Sequence, residues 1–386
     1  MLIPIHNEPR DYSWGSPDLI PHLVGRVPSG KPEAEIWYGD HPGSPSLVDG
    51  TDETLDAALA AAGQAPLPFL LKLLAAGSSL SIQAHPTKAQ AEEGFAREEA
   101  AAIPRDADRR LYRDDNHKPE IIVALSGEFR ALVGLRPVAD TRRLLALLDP
   151  TGARPALAHL RGLLEGDDEE RSLRAALAWA LEEATADDVA ALTDALTRAT
   201  PAAEGEFAAE IGVLRAAASD FPGDAGLYVA LLMNLVVLRR GEALFAPAGV
   251  LHAYQSGLGV ELMAASDNVL RGGLTPKHVD VPELLRVLDA TAGPAPLVVR
   301  REVAPGILAY EVAVPDFALT RVEVADAPVS VALRGPAIVL ATRGDVSVTG
   351  GGDAATLRPG TAVYVGDAQQ IVLTGAGEAF VAQPGS

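Results

Sequence analysis

Four short patches hold most of the residues whose types and spacing could do chemistry. In residues 80–85 (LSIQAH) apolar and polar residues alternate. In a strand, successive side chains point to opposite faces, so Ser81, Gln83 and His85 share one face and Leu80, Ile82 and Ala84 the other. An amide and an imidazole side by side on one rigid strand are two potential metal donors, although alone they also suit a plain solvent-facing strand. The second patch is His117-Lys118-Pro119-Glu120. Pro119 biases Lys118 to extended backbone, which turns Lys118 and Glu120 the same way. Glu120 then opens an apolar run, Ile121-Ile122-Val123. A carboxylate entering a buried strand needs a cation or a metal; a surface ion pair with Lys118 is the plainer alternative.

The third patch, residues 241–254 (GEALFAPAGVLHAY), reads as strand, Pro-x-Gly turn and return strand. That hairpin would bring His252 to the start of the return strand, with Tyr254 facing the same way. The fourth, residues 259–277 (GVELMAASDNVLRGGLTPK), places Glu261 on a strand and Asp267, Arg271 and Lys277 in a glycine-rich loop. Loops on a rigid scaffold commonly carry function. Arginine suits bidentate contact with a phosphate. Lys118, Glu261, Asp267 and His117 are the candidates for moving a proton.

Several elements must position these groups. Residues 67–76 (LPFLLKLLAA) form an apolar run and 77–79 a turn. Pro86-Thr87 stops the next strand, and a helix is expected over 88–101 with Thr87 as its N-cap. Residues 120–126 and 129–136 flank Gly127-Glu128, a hairpin signal. From residue 139 to about 220 the composition shifts to Ala, Leu, Glu and Arg at helical spacing, which predicts a helical insertion. Strand character returns at 234–238, 244–246, 251–254 and 260–264, and residues 282–289 predict a short helix. Beyond Pro294, eight short β-rich runs punctuated by Gly and Asp predict a second barrel or jelly roll. The expected division is 1–137 with 221–290, then 138–220, then 291–386.

Bulk properties narrow the function. At 386 residues the chain is long enough for two or three domains. Its formal net charge of -20 repels nucleic acid and anionic membrane surfaces, so neither is an expected partner. The same field repels a phosphorylated sugar, so an enzyme for one needs a local basic pocket. With no cysteine, disulfides and thiolate zinc sites are excluded, and any metal must use His, carboxylate or amide oxygen. Residues 1–15 carry charges and prolines without an apolar stretch, so no signal peptide is read there and the expected compartment is cytoplasmic.

The spacing in the third patch (glycine, five residues, Pro-x-Gly, two residues, histidine) resembles the second signature motif of the cupin superfamily. Ser256 stands where that motif usually has Asn. Taken in order, QAHP, HKPE, PAGVLHAY and ELMAASDNVLRGGLTPK resemble type I phosphomannose isomerases. So do residues 34–46 (AEIWYGDHPGSPS) and 221–249 (FPGDAGLYVALLMNLVVLRRGEALFAPAG). The resemblance covers roughly residues 1–137 and 221–290. It implies a mainly β fold: a cupin-type barrel core, an α-helical insertion and a second, C-terminal β-barrel-like domain. It also implies one Zn2+ per chain held by Gln83, His85, Glu120 and His252.

The implied reaction interconverts mannose 6-phosphate and fructose 6-phosphate through a cis-enediol, in a monomer or weak homo-oligomer acting on a phosphorylated hexose. Counterparts of Lys118 and Asp267 have been linked in that family to proton transfer and ring opening. Arg271 becomes the main cation for the phosphate or the reacting end, Ser81, Lys118 and Tyr254 become substrate contacts, and Lys277 and Lys88 further cations. Two rivals remain open at this point. His85, Glu120 and His252 also make the two-His, one-carboxylate pattern of iron oxygenases, and a sugar-binding cupin without catalysis would keep the same fold.

Overall fold

The computed structural model describes residues 1–199, 205–325 and 327–385. Among these residues two antiparallel sheets dominate, of nine and ten strands. The nine-stranded sheet is organised by one long strand, His252–Ala264, buried at every position but one. Along one edge it pairs with Phe69–Ala76, from Gly257 opposite Ala76 to Ala264 opposite Phe69, and then at His252 with Gln83. Along its other edge it pairs first with Glu120–Ala124 and then with Glu128–Leu135.

These pairings correct two sequence expectations. Residues 120–126 and 129–136 do not form a hairpin. They run one after the other along the same edge of His252–Ala264 and turn a corner at residues 125–127. The corner is pinned by Leu125 and Ser126, whose backbone N–H groups both donate to the Leu258 carbonyl. Residues 251–254 and 260–264, expected as separate strands, are one strand that bends at Gly257. Gly257 has φ +121°, and a Cβ there would lie 2.8 Å from Phe129 Cδ2, so only glycine allows the bend. Nor does Ala243–Ala246 pair with the strand carrying His252: it pairs with Glu120–Ala124.

Local capping obeyed its sequence signals. The helix Lys88–Ala100 starts at Thr87, whose side chain accepts from Gln90 N–H while the Gln90 side chain answers to the Thr87 N–H, a capping box. Among the described residues, helical spacing from residue 138 onward becomes six α-helices, from Val138–Leu148 to Gly226–Leu232, sharing one apolar core. The helical region thus runs beyond residue 220. The short helix Val281–Val287 starts where Asp280 accepts from Glu283 N–H. Among the described residues no helix is long and apolar enough to cross a membrane.

The ten-stranded sheet takes its strands from residue 300 onward together with two from the N-terminal region. Leu2–His6 pairs with Ala362–Val365 and, on its other side, with Leu47–Val48. The two sheets share a core in which Ile121, Val123, Leu258 and Val260 meet Leu340, Tyr364 and Phe380. Burying each such large apolar side chain contributes about 1.5–3 kcal/mol. This core therefore fixes the strand that begins at Glu120.

Candidate active site

Glu120 is the first residue of its strand and reaches two imidazoles. Its Oε1 lies 3.3 Å from His85 Nε2 and its Oε2 3.2 Å from His252 Nε2. All three residues are buried, and one ligand atom from each lies within 4.8 Å of the others. The second ring nitrogen of each histidine faces a backbone carbonyl: His85 Nδ1 is 2.7 Å from Asn268 O, and His252 Nδ1 is 3.2 Å from Val250 O. A carbonyl only accepts, so Nδ1 carries the hydrogen and Nε2 presents its lone pair to the centre. His85 Nε2 is buried and has no hydrogen-bond partner. A buried orphan acceptor beside a carboxylate and a second imidazole is what a divalent cation would satisfy.

Gln83 stands directly across the ladder from His252 and lines the same small hollow as Glu120 and His252. Its Nε2 donates to Ser81 Oγ at 3.0 Å, which leaves the amide oxygen as its accepting end. Residues 80–82 are less regular than expected, and only Gln83–Ala84 is strand. The alternation holds over residues 81–84, where Ser81 and Gln83 line the hollow while Ile82 and Ala84 are in the core, but Leu80 lines the hollow as well.

Electrostatics agree with a cation site. Burial lowers His85 to about 4, with the Lys118 charge adding to the effect and Glu120 opposing it. The imidazole is therefore neutral at pH 7 and able to ligate. Burial alone would raise the Glu120 carboxyl. The charge of Lys118 comes first among the groups that oppose burial, and the carboxyl is held well below its usual value.

Lys118 Nζ lies 2.8 Å from Glu120 Oε1, on the face that Pro119 geometry predicts. His117 points the other way. Its Nε2 is 2.7 Å from Asp316 Oδ2, and it does not line the hollow that Lys118 faces. Successive side chains of an extended segment diverge, which separates His117 from the other proton-transfer candidates. Glu261 sits inside the long strand, with its Oε2 3.1 Å from Lys72 Nζ. Burial, together with the charges of Glu120 and Glu35, raises its carboxyl against the pull of Lys72. Tyr254 is buried beside it. Burial comes first, then the charge of Glu261, in pushing the Tyr254 hydroxyl well above its usual value.

Asp267 is half-exposed, with Oδ1 3.5 Å from His41 Nε2. His41 packs edge-on to Trp37 with ring centroids 5.1 Å apart. Arg271 pairs with Gln83 in the ladder. Its Nε is buried and has no hydrogen-bond partner, and Arg271 makes no ion pair among the described residues. Arg271, Lys277 and Arg113 line one cavity of about 420 Å³, which also includes Lys118 and Asp267. Burial lowers both Arg271 and Lys277, and the charge of Arg113 lowers both further. This is the local basic pocket that a chain of net charge -20 requires for an anionic ligand. Lys88 lies elsewhere, between Glu92 and Asp115 on the surface.

Three contributors escaped the sequence reading. Lys72 lies between Glu35 and Glu261 and over the Trp37 ring, 4.9 Å from its centroid. Its signal was present, as the one charge in an otherwise apolar strand. Glu35 precedes Trp37 in the segment already matched to the family. Arg113 lies in an irregular loop with no periodic pattern to mark it.

Fold and site together define a cupin-type enzyme whose centre is built for one divalent cation. Comparison with known proteins narrows the class. The model of the type I phosphomannose isomerase catalytic domain matches residues 2–138. The mannose-6-phosphate isomerase of Escherichia coli K12 is 36% identical over 378 residues, covering 93% of this chain and 93% of that protein. Its human counterpart is 31% identical over 358 residues, covering 84% and 82%. A crystal structure of mannose 6-phosphate isomerase bound with zinc and yttrium superposes with a TM-score of 0.88 at 33% identity, over 100% of both chains. A zinc-bound holo structure gives 0.88 at 32% identity, again over 100% of both. The chain belongs to the type I phosphomannose isomerase family, and it is an isomerase.

Proposed function

We propose that this chain interconverts mannose 6-phosphate and fructose 6-phosphate as a zinc enzyme, through a cis-enediol. One observation carries the reading: the orphaned His85 Nε2 beside Glu120 and His252 lies next to a cavity that holds an unpaired, part-buried Arg271. The first asks for a cation and the second for an anion. Gln83, His85, Glu120 and His252 would hold Zn2+, which when bound supplies Lewis acidity next to the sugar oxygens.

The chain's own residues do the rest. Arg271, with Lys277 and Arg113 facing it, binds the phosphoryl group by charge-assisted hydrogen bonds. This seats the open-chain sugar with C1 and C2 towards Lys118. A proton leaves C2 as the C1 carbonyl oxygen gains one, giving the enediol. The O2 proton then leaves as C1 gains one, giving the ketose. Lys118 is the group placed to carry the carbon-bound proton, and Asp267, at the rim beside His41, to assist ring opening. Glu261 and Lys72 form a buried pair behind Tyr254 and keep that wall of the site fixed.

The test is formation of fructose 6-phosphate from mannose 6-phosphate by the zinc-loaded protein, with and without a chelator, and by Lys118→Ala and His252→Ala. Chelator and His252→Ala should each abolish turnover, and Lys118→Ala should retain zinc while losing rate by roughly 10²–10⁴-fold. A zinc-loaded wild type that makes no ketose would overturn the proposal.

A further inference from the structure

Nothing in the reaction assigns a task to the ten-stranded sheet, yet Asp316, in the loop before its strand Ala318–Val324, and Glu378, acting through Arg240, reach the residues that flank the strand carrying Glu120. We propose that this sheet holds Glu120–Ala124 in place from both ends, with Asp316 acting as a positioning residue for Lys118 and Glu120.

At the leading end, Asp316 Oδ2 takes His117 Nε2 at 2.7 Å, with the two side chains only 12% and 22% exposed. Asp316 precedes Phe317, which is fully buried in the core between the sheets. The carboxylate is therefore anchored by packing at the next residue. His117 and Lys118 point to opposite sides of one extended segment, so fixing His117 fixes the direction of Lys118. Asp316 itself lines neither the cavity of Arg271 nor the hollow of Glu120.

At the trailing end, Arg240 donates through Nη1 to the Leu125 carbonyl, one residue past the strand, and through Nη2 to Glu378 Oε1 at 2.7 Å. Glu378 lies on the strand Gln370–Gln383 and is 1% exposed. It also accepts from Arg321 Nε at 2.7 Å and from Thr342 Oγ1 at 2.7 Å. The neighbouring Gly241 donates its N–H to the Ala124 carbonyl at 2.7 Å, while its own carbonyl accepts from Tyr310 and Arg300 of the same sheet. A buried carboxylate shared by two arginines and a threonine is a fixed point, because losing any one partner leaves charge or polarity stranded.

The two contacts lie far apart in sequence and flank the same five-residue strand. Displacing a reacting group by about 1 Å can cost roughly 10²-fold in rate, so a support that never touches substrate can still govern turnover. The inference rests on the isomerase reading, and its test carries one measurement that does not. In the full-length, zinc-loaded protein, Asp316→Ala should lower kcat by about tenfold or more with KM for mannose 6-phosphate within about twofold. It should also speed zinc release to a chelator. Asp316→Asn keeps an acceptor for His117 and should restore most of both. Arg343→Ala, which cuts a surface pair with Glu323 on the same sheet, should leave both unchanged. Wild-type kcat and zinc release in Asp316→Ala, or an Asn variant no better than Ala, would overturn the inference. An inactive wild type would instead sink the proposed function and leave zinc release to decide this one.

Discussion

The Asn268 carbonyl lies 2.7 Å from His85 Nδ1, while the Asn268 side chain is committed to the loop that leads to Lys118. Its Oδ1 accepts from Arg113 N–H at 2.7 Å, and its Nδ2 donates to the Asp114 and Asn116 carbonyls, each at 2.8 Å. One fully buried residue thus orients a histidine and ties two loops together. Asn268→Ala strands several buried backbone groups and should cost roughly 2–4 kcal/mol of stability. The variant keeps the carbonyl that faces His85 but loosens the loop that aims it, and because outer partners of ligating histidines tune the metal, zinc affinity should also fall, by up to roughly 10–100-fold. Competition against a chelator of known affinity measures this, and wild-type affinity in the variant would dismiss the link.

Arg271 offers the opposite case, a cation without a partner. Its removal deletes no hydrogen bond and relieves a part-buried charge. Arg271→Met should therefore leave thermal stability unchanged or slightly higher. Loss of charge-assisted contacts worth about 1.5–3 kcal/mol should lower kcat/KM for mannose 6-phosphate by roughly 10–100-fold. An urea titration alongside steady-state kinetics separates the two. A variant that unfolds more easily but turns over normally would show that Arg271 is a structural cation.

The residues at the centre were legible in the sequence because their geometry is local. Strand alternation alone puts Gln83 with Ser81 and Lys118 with Glu120, and a proline states which backbone they adopt. Strand pairing was not legible, because the competitor lay more than a hundred residues away. Gly127-Glu128 looks like a hairpin turn, but His252–Ala264 is long enough to pair with both flanking strands in succession. The partner of His117 was out of reach for the same reason, since Asp316 is 199 residues distant. Lys72 could have been found only by recognising that an eight-residue run buried on both faces cannot hold a free ammonium.

Glu283 makes the acid limb of stability predictable. Burial would raise its carboxyl, but hydrogen bonds from Arg286, Tyr112 and Arg97 outweigh it and hold the group down to about 2. Between its ordinary value near 4.5 and about 2, the unfolded chain binds a proton that the folded chain does not. The contribution is therefore complete above about pH 4.5 and is lost as pH falls towards 2. Allowing for screening on its open side, it should amount to roughly 1–2 kcal/mol. Glu283→Gln should be less stable than wild type by that amount at pH 7, with the gap narrowing below pH 4.5. Urea midpoints from pH 7 to 3 provide the check, and a constant gap would refute the assignment.

Lys72 has no freedom of position. Its Nζ lies 3.1 Å from Glu261 Oε2 and 3.6 Å from Glu35 Oε1, and the exposures of the three side chains are 7%, 4% and 9%. Burial opposes its charge, but Glu35, Glu261 and Glu120 together hold the ammonium above its ordinary range. Lys72→Met would fit the apolar strand in shape, yet it leaves two buried carboxylates facing each other without a cation. Breaking a buried pair in this way typically costs about 3–5 kcal/mol. Adding Glu261→Gln removes one stranded charge and should recover part of the loss, so the two substitutions together should be less harmful than their sum. Equilibrium unfolding of the two single variants and the double variant tests this coupling. Strict additivity would mean that Lys72 supports the strand by packing alone.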